Sequence, residues 1–220
     1  MQRSNDRFLT THVGSLARPQ GLLDLMLARQ RGEDHDEQAF QASVQDAVGD
    51  VVRRQSEAGI DIICDGEQGK ASFLTYVSER LGGFEVREGE GEDLWKESRE
   101  TLAFPEFYEA HKRYREGIVA SPVQLVCTGP LTYTGQEALE RDIATIKAAT
   151  AGVGAEEVFM TAISPSDVEG QQANEYYSSE EDYLEAIADA MHEEYKAIVD
   201  AGLLLQIDDP RLLTYYISRP

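Results

Sequence analysis

The chain has 220 residues, 41% of them apolar, and a formal net charge of −21. That length holds one domain with a real core, while the charge disfavours nucleic acid and anionic lipid, which bind through clustered Lys and Arg. No apolar run reaches the roughly eighteen residues of a membrane span, and Met1 to Arg7 lead into no apolar segment of a secretory signal.

In chain order, Phe8 to Ser15 is a short β-prone run ending at Gly14-Ser15, and it predicts a first strand. Pro19 then opens a helix carrying Leu22, Leu23, Met26 and Leu27 at helical spacing. From Asp36 to Ala58, the positions Phe40, Val44, Val48, Val51 and Gln55 fall on one stripe, and Gly59 caps the C-terminus. Ile60 to Cys64 predicts a second strand, running into Asp65-Gly66-Glu67, with a short helix around Phe73, Tyr76 and Val77 after it. The glycine-rich, acidic stretch 82–101, with the lone Trp95, reads as an insertion or excursion. Phe104 to Glu116 is helical in pattern. Val123 to Cys127 predicts a third strand, ending at Thr128-Gly129-Pro130. A helix over Gln136 to Thr150 precedes a fourth strand, Glu157 to Ile163, which ends at Ser164-Pro165-Ser166. Ser178 and Glu181 form a capping-box pattern for a helix bearing Tyr183, Ile187, Ala190, Met191, Glu194 and Ile198, closed by Gly202. Leu203 to Ile207 predicts a fifth strand, ending at Asp208-Asp209-Pro210.

Near-continuous apolar strands alternating with helices indicate an α/β fold with a parallel sheet. The polar cluster at each strand end then falls on one face, where active sites form. No glycine fingerprint for a dinucleotide follows the first strand. Cys64 and Cys127 end apolar runs and read as packed core residues, which fits a reducing, cytoplasmic setting.

Four segments carry a family resemblance. Thr10-Thr11-His12-Val13-Gly14-Ser15-Leu16-Ala17-Arg18-Pro19, Gly59 to Glu67, Cys127-Thr128-Gly129-Pro130-Leu131-Thr132 and Gln206-Ile207-Asp208-Asp209-Pro210 resemble, in order, motifs of the catalytic barrel of cobalamin-independent methionine synthase. The resemblance implies a (β/α)8 TIM barrel. Only about the first five β/α units would lie within 1–220, and five strands cannot close a barrel of that size. It implies zinc-dependent transfer of a methyl or alkyl group to a thiol such as homocysteine, because zinc holds a thiol deprotonated near neutral pH. The family's zinc ligands follow the Gln-Ile-Asp-Glu-Pro segment, so metal ligands are expected beyond Pro220. The 220-residue chain alone is then expected to be inactive.

By the same resemblance, Glu67 and Asp208 would face the ammonium group of the substrate and Ser15 would lie beside its carboxylate; Thr128 belongs to the Thr-Gly-Pro turn on the substrate side. His12 and Asp208 are the candidate catalytic groups, while Asp65 and Asp209 read as capping or support. Partners are small molecules, a thiol substrate and an alkyl donor. Three departures stand out. The turn continues as Tyr133-Thr134-Gly135, without the tryptophan of the folate-using enzymes; Asp209 stands where the family has Glu; and Asp65 stands where the synthase has His. They keep three other readings beside the first. These are an enzyme acting on coenzyme M-type alkylthiols, a uroporphyrinogen decarboxylase-like barrel using Arg18, and a non-catalytic barrel part serving as a partner protein.

Overall fold

The computed structural model describes residues 1–73, 75–87, 99–115 and 124–212. In chain order the elements are α1 (Gln20–Gln30), α2 (Glu37–Glu57), β1 (Ile62–Cys64), a short 3-10 helix (Thr75–Glu79), β2 (Leu81–Arg87), α3 (Arg99–Ala103), α4 (Pro105–Arg115), β3 (Gln124–Tyr133), α5 (Gln136–Thr150), β4 (Glu157–Ile163), α6 (Pro165–Gln171), β5 (Ala173–Asn174), α7 (Glu180–Asp200) and β6 (Leu204–Asp208). Trp95 lies outside the described residues.

The strands form two small sheets. One is parallel, in the order β1-β4-β6; the other has the order β2-β3-β5. β1 pairs with β4 over Ile62 to Cys64, and β4 with β6 over Phe159 to Ile163, so β4 and β6 end together at Ile163 and Asp208 while β1 stops at Cys64, opposite Phe159. No closed barrel is present among the described residues.

Two expectations are corrected. The first strand contracts to a single parallel bridge, Thr11 to Ile62. Its apolar residues find no core: Phe8 is 92% and Val13 84% exposed. Side chains tether the segment instead, with the Asp61 carboxylate accepting from the Thr10 amide at 2.7 Å and from the Arg7 guanidinium. The second correction concerns the third expected strand. β1 pairs directly with β4, and β3 belongs to the other sheet, antiparallel to β2. It runs straight through Thr128-Gly129-Pro130 to Tyr133. The reason lies across the ladder. Gly83 adopts φ 97° at a register shift. A Cβ there would meet the Pro130 carbonyl oxygen at 2.7 Å, so only glycine lets the strands close around a proline that has no N–H to donate. Leu125, Val126 and Cys127 are all buried, which in sequence imitates a parallel strand. The 82–101 stretch thus begins as β2 and resumes at α3, and 88–98 lie outside the described residues.

The helices follow their local signals. Asp36 caps α2, accepting from the Gln38 and Ala39 amides. Gly59 at φ 76° closes it, its amide bonding Ser56 O while Ile60 N bonds Gln55 O, the paired bonds of a Schellman end. At α7 the cap is Ser179, accepting from the Asp182 amide, one residue beyond the expected Ser178 and Glu181 pair. Ser178 instead donates its hydroxyl to Asp182.

Two apolar clusters result. α1, α2 and β1 enclose Leu22, Met26, Phe40, Val48, Val52 and Ile63. α7, β4 and the second sheet enclose Leu81, Cys127, Met160, Ile187, Met191 and Ile198. Polar groups are buried at both. Gln55 clamps the end of β1, donating to Cys64 O at 2.7 Å and accepting from Cys64 N at 3.2 Å. Glu194, 1% exposed, accepts from the Tyr76 hydroxyl at 3.0 Å and the Tyr133 hydroxyl at 2.7 Å. That carboxylate ties α7 to both sheets, because Tyr76 also accepts from the Ile163 amide of β4.

Glu194→Ala would strand two buried phenol hydroxyls. Each unsatisfied group costs about 1–3 kcal/mol, so urea denaturation should show a loss of about 3 kcal/mol, with Leu184→Ala, on a partly exposed site, losing far less.

Candidate functional site at the strand ends

The chain leaves β1 through Asp65-Gly66-Glu67, and the backbone there is unusual. Gly66 and Glu67 both have positive φ, 62° and 54°, and Glu67 is the one non-glycine residue so placed among the described residues. A left-handed non-glycine residue costs about 1 kcal/mol or more, and such strain gathers at functional sites. Several contacts hold the turn. The Glu67 amide donates to the Asp65 carboxylate at 2.9 Å. The Arg18 guanidinium donates to the carbonyls of Glu67 at 2.7 Å and Lys70 at 2.6 Å. The Leu16 amide donates to Gly66 O at 3.0 Å, and the Gln68 amide group donates to Leu16 O and Gly66 O. Arg18 Nε and Gln68 Oε1 remain buried without a protein partner.

The turn carries the Glu67 side chain into the interior. Glu67 is 2% exposed. Its Oε2 accepts from the Ser15 hydroxyl and its Oε1 from the Thr161 hydroxyl at 2.7 Å. Gly14 makes room, since a Cβ there would sit 2.9 Å from Oε1. Behind Thr161 stands Lys70, 6% exposed, whose Nζ donates to Thr161 O at 2.6 Å and to Thr161 Oγ1 at 3.3 Å.

Asp208, at the end of β6, completes the group. Gln206 donates to it at 2.7 Å and also donates to Val13 O, stitching β6 to the 12–18 segment. Burial raises the Asp208 pKa, and the Glu67 charge raises it further, while Gln206 and Lys70 pull it down. Asp65, buried beside the turn, is likewise raised by desolvation, with Lys70 opposing. The Glu67 charge therefore reaches Asp208 across a partly desolvated place.

Of the residues singled out in the sequence, Ser15 bonds Glu67, and Asp208 lies within electrostatic reach of Glu67. Thr128 does not join them; it lies half-buried within β3 of the other sheet, because its segment is a strand interior and not a strand-end turn. His12 is half-buried on the Ser15 segment, with its carbonyl accepting from the Thr11 hydroxyl at 3.1 Å. Asp209 is a cap and brace: its Oδ1 accepts from the Leu212 amide at 3.1 Å and the Ser166 hydroxyl at 2.8 Å. Sequence reasoning missed Lys70, Thr161 and Gln206. For Thr161 the signal was present, a lone hydroxyl in the apolar run Val158 to Ile163.

Among the described residues, no three His, Cys, Asp or Glu side chains group as metal ligands. Cys64 is buried, and desolvation pushes its thiol up to about 12, while Cys127 is buried in the other sheet. The described residues therefore do not make a zinc centre. Arg18, the arginine a decarboxylase reading needs, spends its guanidinium on backbone carbonyls.

Comparison with known proteins gives the class. The family model for the catalytic domain of cobalamin-independent synthase matches residues 8–163, more than half of the chain. The chain belongs to that family. It is 26% identical to methionine synthase of Sulfolobus acidocaldarius over 206 residues, covering 93% of this chain and 52% of that one. It is 28% identical to methionine synthase of Thermococcus kodakarensis over 211 residues, covering 94% and 53%. Among solved structures it is similar to a B12-independent methionine synthase from Shewanella sp. W3-18-1, in complex with selenomethionine, with a TM-score of 0.67 at 20% identity, over 94% of this chain and 53% of that one. A putative vitamin-B12 independent methionine synthase from Listeria monocytogenes aligns with a TM-score of 0.63 at 25% identity, over 93% and 52%. The chain spans about half the length of the relatives it matches. No helix among the described residues is long and apolar enough to cross a membrane.

The raised Asp208 pKa has a stability consequence. A carboxyl that is harder to ionise when folded binds more protons in the native state. Its penalty is absent at low pH and grows as pH rises from the ordinary carboxylate range through the raised native value. Asp208→Asn removes that penalty. Its melting temperature relative to the parent should rise between acid and neutral pH; a difference that is flat with pH would contradict the assignment.

Proposed function

We propose that this chain is the substrate-amine half of a methionine synthase-like alkyltransferase site, part of a single (β/α)8 barrel domain, and that it binds an amino-acid thiol such as homocysteine. The observation that carries this reading is that Asp208, at the end of β6, lies within electrostatic reach of the buried Glu67, whose charge raises the cost of ionising Asp208. An incoming ammonium reverses that cost, since a cation between two carboxylates favours both charged forms. Ser15 extends the site toward the substrate carboxylate once its hydroxyl turns from Glu67. The same pair of acids repels the sulfonate of a coenzyme M-type thiol, which favours the amino-acid reading among the alkylthiol alternatives.

In the reaction the substrate sulfur forms a bond to the methyl carbon, and the donor keeps the electron pair of the bond that breaks. The thiol proton must leave, because the thiolate is the nucleophile. His12 and Asp208 are the groups we assign to receive it, His12 from the segment that carries Ser15 and Asp208 from β6. Zinc is implied by the family resemblance as the group that keeps such a thiol deprotonated, and we attach it to no residue of this chain. The small-molecule thiol and alkyl donor are the partners this reading requires.

Calorimetric titration with L-homocysteine and with L-methionine tests the proposal. The parent chain should bind at least one of them, and Glu67→Gln should weaken binding by about tenfold or more, as expected for losing a charge-assisted contact. An absence of binding by the parent, or unchanged affinity in a folded Glu67→Gln protein, overturns it.

A further inference from the structure

We propose that Lys70 is a positioning residue of this site: acting through the Thr161 hydroxyl, it aims the Glu67 carboxylate at the ligand. The inference deepens the amine-binding reading above and rests on it for its biological meaning.

Hydrogen-bond direction makes the argument. An ammonium can only donate. Because Thr161 Oγ1 accepts from Lys70 at 3.3 Å, the hydroxyl proton is left to point elsewhere, and it points to Glu67 Oε1 at 2.7 Å. A threonine hydroxyl in a strand otherwise has backbone carbonyls to turn to. Lys70 also donates to the Thr161 carbonyl, at 2.6 Å. The lysine is itself fixed. Its Nζ lies 4.6 Å from the Tyr76 ring centre, Tyr76 is held by Glu194 and the Ile163 amide, and Arg18 holds the Lys70 carbonyl.

The indirect route has a purpose. A lysine bonded directly to Glu67 would cap the carboxylate and compete with any ligand ammonium. Here the ammonium meets a carbonyl, a hydroxyl and a ring, so Glu67 is aimed without being capped. The lysine's charge still reaches Asp65 and Asp208, opposing the burial that disfavours their ionisation.

The experiment compares Lys70→Met, Thr161→Val, the double variant and Lys70→Arg, with melting curves to confirm folding and L-methionine as the titrated probe. Lys70→Met and Thr161→Val should each weaken binding by about tenfold, the double variant no further than the weaker single, and Lys70→Arg should recover most of the loss. Equal affinity in folded Lys70→Met, or losses that add, overturns the relay. A second readout needs no ligand: the carbon-13 resonance of the Glu67 carboxyl, assigned with Glu67→Gln, should move in Lys70→Met and Thr161→Val and return in Lys70→Arg. If the parent binds neither homocysteine nor methionine, the amine-binding reading fails while this resonance still decides the relay, and an unmoved signal sinks it. If Lys70→Met does not fold, Thr161→Val against Thr161→Ser carries the test, since only the serine keeps the hydroxyl.

Discussion

Every part of the strand-end site answers to the left-handed turn at Gly66 and Glu67. The turn drives a carboxylate inward, beneath the 12–18 segment, where water has largely gone. A buried carboxylate is tolerable only with donors on its oxygens. Ser15 and Thr161 supply them from two different parts of the chain, so the turn draws the N-terminal segment and β4 toward β1. Arg18 then closes the arrangement from outside by gripping two carbonyls of the turn. Gly14 is glycine because the carboxylate passes too close for a Cβ.

The second sheet is the support for that site. β2 and β3 pair around the Gly83 bulge, and their inner face packs with α7 against β4. Within that apolar contact sits Glu194, collecting hydroxyls from Tyr76 and Tyr133. Arg80, itself buried, pairs with Asp142 of α5 and donates to Gly135 O. Buried polar networks of this kind are costly if any member is lost, and their directionality selects one packing over its competitors. Here they set where Tyr76 stands, and so where Lys70 and Thr161 stand.

The charge of the chain, −21, bears on the site only weakly, since exposed carboxylates are screened over about 10 Å in salt. What matters locally is that Glu67 and Asp208 share a partly buried place with one lysine that is already engaged. The arrangement leaves negative charge seeking a cation, which is the physical content of the amine-binding proposal.

Local signals in the sequence determined much of the molecule. The stripe of α2 and its Gly59 end, the bounds of α5 and β4, the buried cysteines and the alternation of strands and helices are set by side-chain period and capping chemistry, which act within a few residues. The strand-end carboxylates Glu67 and Asp208 were legible for the same reason, together with a motif order that runs along most of the chain. Tertiary structure alone decided the rest. Leu125 to Cys127 look the same in sequence whether they are buried in a parallel sheet or under a hairpin, and only the partner strand, admitted by Gly83, chose between them. That choice moved Thr128 away from the site. Thr161 and Lys70 lie 91 positions apart, and no local pattern announces a bond between residues that meet only when β4 packs beside β1.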